Sequence, residues 1–274
     1  MKKTVKFCLI YSIVFSVVSA ALFFCLAKRA EDKVSLATAI HETSRITADL
    51  QRAVENFNRV SFSKIHFVSA LPIIKDPDVD LKTKAEQLFG LKDVDTSLIG
   101  MNITDLKGNS YLVEGGLYNF SERPYFKNAL LGKESLYGPI VNKVTNTPAI
   151  FYGSPNYDDE GKIINTFFLA VHGEALSYFC KNIISSFESD MMVIRRSTGL
   201  VIADVDLEKV LSLNYYDYVA GLGLPEFRDI TEHIALGKTG IEIVDSKDKS
   251  KMIVSYAPIA DSDWSVIVIR PYQK

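Results

Sequence analysis

Two stretches of this chain repeat at a near-constant interval, and the repeat limits what the chain can fold into. Ala129-Leu-Leu-Gly-Lys-Glu-Ser-Leu returns as Ile234-Ala-Leu-Gly-Lys-Thr-Gly-Ile, 105 residues on. Phe151-Tyr-Gly-Ser-Pro155 returns as Val254-Ser-Tyr-Ala-Pro258, 103 residues on. Two modules of about 100 residues, each one sheet with helices, are the simplest account.

The patterns around the repeats keep one order. In the first half, residues 98–103 and 110–113 alternate with period two around Asp105-Leu-Lys-Gly108, which reads as a hairpin with glycine in the turn. A helix follows, then three strands at 135–141, 149–152 and 163–171, the last two joined by the turn Tyr157-Asp-Asp-Glu-Gly161. In the second half, residues 192–203 match the first hairpin and residues 261–269 match the last turn and strand.

A helix precedes the modules. Ile46, Leu50, Val54, Phe57 and Val60 recur at three or four, and after one irregular step the row resumes as Phe62, Ile65 and Val68. No Pro or Gly interrupts residues 32–71, so the pattern predicts about 40 residues of helix, roughly 60 Å long. That exceeds the need of one compact domain and reads as a stalk and spine, ended by Pro72 and Asp76-Pro77-Asp78.

Upstream, Lys2, Lys3 and Lys6 come before 21 uncharged residues, 7–27, closed by Lys28-Arg29. At about 1.5 Å per residue this run spans a bilayer core. Val18-Ser19-Ala20 resembles a signal-peptidase site, but the apolar run continues past it, which favours an uncleaved signal anchor. Either reading exports the rest. Cys180 is then alone in the exported part, without a disulfide partner, and reads as a small buried hydrophobe. The net charge of −2 provides no basic field for nucleic acid.

Tyr118-Asn-Phe-Ser-Glu-Arg-Pro-Tyr-Phe126 sets one arginine among four aromatic rings just before a helix. Ser121 can cap that helix and Pro124 suits its first turn. A guanidinium there, walled by rings, suits a small carboxylate. The structural alternative pairs Arg123 with Glu122 or Asp158 and puts the rings in the core.

The anchor, the long helix and the two modules together resemble the double-Cache sensor domain of bacterial transmembrane receptors, including methyl-accepting chemotaxis proteins, sensor histidine kinases and diguanylate cyclases. The marks are Arg123-Pro-Tyr-Phe126 with Asn128-Ala129, the strand ending at Pro155, Asp159-Glu-Gly161, and Tyr256-Ala-Pro258 before Trp264. The resemblance implies an α+β fold: an N-terminal transmembrane helix, a spine helix, and two tandem PAS-like modules with antiparallel sheets. It gives the boundaries 1–6 (cytoplasmic), 7–27 (anchor), 28–72 (spine), 73–180 (membrane-distal module) and 181–274 (membrane-proximal module). Ligands of that family usually occupy the distal module.

One branch of the family contacts an amino acid's carboxylate and ammonium through tyrosine, arginine, tryptophan and aspartates. Tyr118 and Arg123 match its spacing, Tyr125 stands at its tryptophan, and Phe126 fits the next aromatic. Its Tyr-x-Asp falls near Ile140 and Asn142, and its last aspartate near His172, so the carboxylates that would hold an ammonium are missing. The resemblance therefore implies a carboxylate held by Arg123 in preference to a free amino acid.

Tyr137, Tyr152 and His172 complete the candidate ligand-binding set, each with an ordinary structural reading beside it. His41, His66 and His233 show no metal spacing, Asp204 and Asp206 read as a solvated loop, and no cofactor is expected. Nucleophile-elbow, phosphate-loop, His-Glu-x-x-His and Cys-x-x-Cys motifs are missing, which argues against an enzyme. The expectation is the extracytoplasmic sensing region of a chemoreceptor-like protein in the bacterial inner membrane, homodimeric through the spine helix. It would bind an organic acid or amino-acid-like ligand. The alternative is a membrane-anchored periplasmic binding or partner-regulating protein without a transmitter of its own.

Overall fold

The spine helix, α1, runs over Lys2–Ser69 in the computed structural model, which describes residues 2–112, 115–142, 145–184, 189–245 and 251–272, with side chains from residue 19 on. Positions 7–18 of the predicted membrane span therefore lie outside the described side chains. No helix among the described residues is long and apolar enough to cross a membrane. Further along α1, Ile46, Leu50, Val54, Ile65 and Val68 are buried and Phe57 and Phe62 are partly so. Val60 is exposed, and Ser61 takes its place in the buried row, donating its hydroxyl to the Phe57 carbonyl at 3.0 Å. The irregular step in the apolar pattern is thus a buried serine in an otherwise regular face.

Short helices α2 (Pro72–Lys75), α3 (Leu81–Glu86) and α4 (Leu91–Val94) lead into β1 (Leu98–Thr104). Next come β2 (Asn109–Tyr111), β3 (Leu117–Asn119), α5 (Pro124–Leu130), β4 (Ser135–Val141), β5 (Pro148–Tyr157) and β6 (Ile163–His172). The first large sheet is antiparallel in the order β1-β6-β5-β4. The connecting helix α6 (Gly173–Ile184) leads to β7 (Asp190–Arg195), β8 (Val201–Asp204), α7 (Tyr215–Leu222), α8 (Glu226–Ala235), β9 (Gly240–Asp245), β10 (Lys251–Pro258) and β11 (Trp264–Tyr272). The second sheet has the order β8-β7-β11-β10-β9.

The sequence repeat is a repeat of structure. After α5 the Gly132 N–H donates to Ala129 O at 2.9 Å and Lys133 N–H to Asn128 O at 3.0 Å. After α8, Gly237 and Lys238 make the same pair of bonds to Ile234 and His233, both at 2.9 Å. Both glycines have positive φ, so each Leu-Gly-Lys is a Schellman C-cap feeding an edge strand.

The predicted pairing of the first hairpin differs from the structure. Asp105 closes the turn, its carboxylate accepting from the N–H groups of Lys107 and Asn109 at 2.8 Å each. Beyond the turn β2 leaves β1 and pairs with β3 in a separate two-stranded sheet, while β1 pairs with β6. A tight local turn fixes where the chain reverses; the apolar β6 offers β1 a longer buried partner.

Period two divides each sheet into an inner and an outer face. Ile150 and Tyr152 of β5, with Phe167, Leu169 and Val171 of β6, join the spine residues, α6 and Met191, Val193, Trp264, Val266 and Val268 of the second sheet in one core. On the other face, Phe151, Phe168 and Ala170 pack with Tyr125 and Phe126 of α5. The second sheet buries Met192, Val254, Tyr256 and Ile267 against α7 and α8. Cys180 lies in the shared core, where burial pushes its thiol up to about 12, so it behaves as a small hydrophobe. The spine is also tied by polar contacts: Tyr152 Oη donates to Asn58 Oδ1 at 2.8 Å, Gln51 Nε2 to Pro258 O at 2.9 Å, and Arg270 pairs with Glu42 at 2.7 Å.

Asp204, expected in a solvated loop, is instead 3% exposed. Burial pushes its carboxyl above the usual carboxylate range, against the lowering effects of the Asp206 N–H at 2.8 Å and the Lys209 ammonium at 3.6 Å. An acid whose pKa is raised on folding costs stability once pH exceeds its unfolded value, and the cost is complete above its folded value. Asp204→Asn keeps the acceptor for Asp206 and loses only an ion pair to a half-exposed lysine. It should melt a few degrees above wild type at pH 7, with the gap closing as pH falls from the raised folded value of Asp204 to its unfolded one. Melting curves at several pH values check this; a gap independent of pH would contradict it.

Candidate functional site

The outer face of the first sheet carries a cavity of about 190 Å³. Its walls are rings. Phe151 and Phe168 point outward from β5 and β6, opposite to the inward Tyr152 and Leu169, and Phe120 closes over them from the loop after β3. Phe120 and Phe168 lie 4.7 Å apart between ring centroids. Tyr125 backs this wall, stacked on Phe151 at 5.2 Å and 9° and tilted against Phe168 at 5.1 Å. Burial raises the Tyr125 phenol well above its ordinary pKa, with Arg123 opposing, so its hydroxyl stays protonated.

Glycine positions the Phe120 loop. Gly108 has φ +84°, and a Cβ there would stand 2.6 Å from the Ser121 nitrogen. Its carbonyl accepts the Phe120 N–H at 2.7 Å. Gly108→Ala combines a left-handed backbone with a backbone clash, and we expect a loss of about 2 kcal/mol or more. Chemical denaturation measures it; a loss below about 0.5 kcal/mol, the range of a neutral surface change, would contradict this view of the loop.

The polar part of the lining is small. It comprises Lys92 from α4, Asn102 from β1, and Asn142 and Thr145 from the β4–β5 connection. Lys92 is half-buried, and its ammonium has no ion pair or hydrogen bond among the described residues. The Asn102 amide likewise has no hydrogen-bond partner among them. No aspartate or glutamate is among the lining residues described. The arrangement can hold a small apolar body and meet one anionic or polar group.

Residues 30–274 match the family profile of the Cache domain, dCache_1. The chain belongs to the Cache domain family. A search of curated proteins finds no match. Among solved structures the fold is similar to the sensory domain of the Campylobacter jejuni chemoreceptor Tlp3 with isoleucine bound. The TM-score is 0.65 at 11% identity, covering 88% of this chain and 95% of that one. The ligand-binding domain of Tlp3 in complex with L-norvaline gives 0.64 at 12% identity, covering 86% and 91%. The extracellular domain of a protein described as the histidine kinase rpHK1S-Z16 gives 0.62 at 15%, covering 87% and 97%. At these identities the likeness concerns fold alone.

In this Cache domain the sequence-predicted residues divide. Tyr125 and Phe126 are buried in the outer cluster that backs the cavity. Arg123 is half-buried at the N-cap of α5 with no ion pair among the described residues, yet it does not line the cavity. Glu122, its suggested partner, pairs with Lys127 at 2.8 Å, and Ser121 bonds Asn119 at 2.6 Å instead of capping α5. Tyr118 and Tyr137 are exposed on β3 and the edge strand β4, and His172 is exposed at the end of β6. Tyr152 faces the spine, not the cavity.

Sequence reasoning missed Phe151 and Phe168, although the alternation of β5 and β6 carried the signal: Phe151 is one residue from Tyr152 and therefore on the opposite face. Lys92 stands in an unremarkable Leu-Lys-Asp-Val, which offers no such pattern.

Proposed function

We propose that this Cache domain is the extracytoplasmic sensing region of a signal-transduction receptor, and that the first-sheet cavity holds a small carboxylate-bearing organic molecule. The observation that carries the reading is the pairing of two faces on the same strands. Phe151 and Phe168 wall the cavity, while Ile150, Tyr152 and Phe167 grip the spine from the other side. A ligand that tightens the outer face bears directly on α1 through Tyr152 and Asn58. The shift it produces is bounded by its differential affinity for the two arrangements.

The membrane and dimer parts of the reading draw on exposed apolar residues. Leu22, Phe23, Phe24 and Leu26 are exposed near the start of α1, as an anchor requires. Val60 and Phe67 of α1 and Val94 of α4 are exposed around one apolar groove, which suits a second copy. Sedimentation that shows monomer alone at every concentration would remove the dimer.

A thermal-shift screen against organic acids, amino acids, amines and nucleobases tests the function. Ligand at about 100 times its dissociation constant adds roughly 2.7 kcal/mol, a rise of about 5–10 °C for a chain of this size. A response to a carboxylate supports the reading. A screen in which only amines or nucleobases respond would overturn the ligand class, and one in which nothing responds would count against the sensor itself.

A further inference from the structure

Among the described residues, the cationic side chain that lines the cavity is not the arginine that the sequence singles out. Lys92 lines it, Arg123 does not, and the Lys92 ammonium has no ion pair among the described residues. Among the described residues the lining carries one positive group, amides and a hydroxyl from Asn102, Asn142 and Thr145, and no carboxylate. We infer that the ligand is an apolar monocarboxylate without an α-ammonium group, its carboxylate held by Lys92 and its hydrocarbon part by Phe120, Phe151 and Phe168. The inference rests on the ligand-binding reading above and names the ligand class of that same site.

Three physical points carry it. A carboxylate entering the cavity gives the Lys92 ammonium the partner it lacks, and a charge-assisted hydrogen bond is about twice as strong as a neutral one. An α-ammonium would sit near a like charge with only amide and hydroxyl oxygens among the described lining side chains to receive it, and a charge taken from water without a counter-charge is strongly disfavoured. The volume, about 190 Å³, is a little above the roughly 150 Å³ that accommodates a benzene ring. It therefore admits one ring or branched chain plus a carboxylate.

Isocaproate, L-leucine and isoamylamine share one branched skeleton and carry the carboxylate alone, both charges, or the ammonium alone. Titration calorimetry of the full chain with these three should show isocaproate binding, L-leucine at least about tenfold weaker, and isoamylamine giving no heat. Lys92→Met should weaken isocaproate about 10- to 100-fold, the range of one hydrogen bond to a charged group. Lys92→Gln should fall between Met and wild type, and Arg123→Ala should leave affinity within about threefold; melting curves confirm that each variant is folded.

L-leucine binding as tightly as isocaproate would overturn the exclusion of ammonium. Loss of binding in Arg123→Ala with retention in Lys92→Met would overturn the anchor. Both results leave the site a ligand site. If none of the three binds at millimolar concentration, the ligand class is overturned, while the broader screen above decides the sensor reading separately.

Discussion

Replacing Ala170 with phenylalanine is expected to abolish every ligand response of this protein while leaving it folded. Ala170 is 4% exposed on β6, pairs in register with Phe151, and lines the cavity beside Phe168. Its methyl group borders empty space, so a larger side chain has somewhere to go. A phenyl ring added there would intrude into the 190 Å³ cavity, where the hydrocarbon part of a ligand would sit, and add apolar contact area. Filling a void differs from overpacking a dense core, which typically costs about 1–3 kcal/mol. The variant should melt within a few degrees of wild type, whereas the ligand-induced rise of about 5–10 °C should vanish. A folded variant that keeps the full ligand shift would put the ligand elsewhere in the molecule.

Trp264→Ala should have the largest effect on stability. Trp264 opens β11, is 3% exposed, and belongs to the core that α1, α6 and both sheets share. Truncating a buried tryptophan costs about 3–5 kcal/mol, because the cavity left behind collapses only in part. At roughly 2–4 °C per kcal/mol the melting temperature should fall by about 6–20 °C. Since the core is continuous across the two sheets, the variant should still unfold in one transition that circular dichroism and fluorescence report alike. Two separated transitions would show that the sheets are independently stable and that α1 does not bind them into one unit.

The parts of the fold legible in the sequence are those set by local physics. The spine appears in a 3.6-residue apolar row, and the two sheets in period-two runs separated by glycine turns. The module order appears in the Leu-Gly-Lys repeat, whose glycines form matching C-caps at Gly132 and Gly237. Pairing was less legible. Asp105 and Gly108 reveal a reversal, but whether β1 then bonds β2 or β6 depends on which long-range partner buries more surface.

The site was the least legible, for a geometric reason. Which face of β5 looks outward depends on parity, so the choice of Tyr152 over Phe151 moves a candidate from the cavity to the spine. Arg123 attracts attention because charge among aromatics is unusual in sequence. Lys92 does not, because only the docking of α4 brings it to the cavity lining.

The central claim is that ligand binds on the outer face of the first sheet and is felt by the spine through the inner face. Backbone hydrogen exchange with and without a ligand that raises the melting temperature tests it most directly. The account predicts added protection in β1, β5 and β6, around Leu88–Lys92, and in the part of α1 near Asn58 that meets Tyr152. Protection confined to the second sheet, or to α7 and α8, would contradict it.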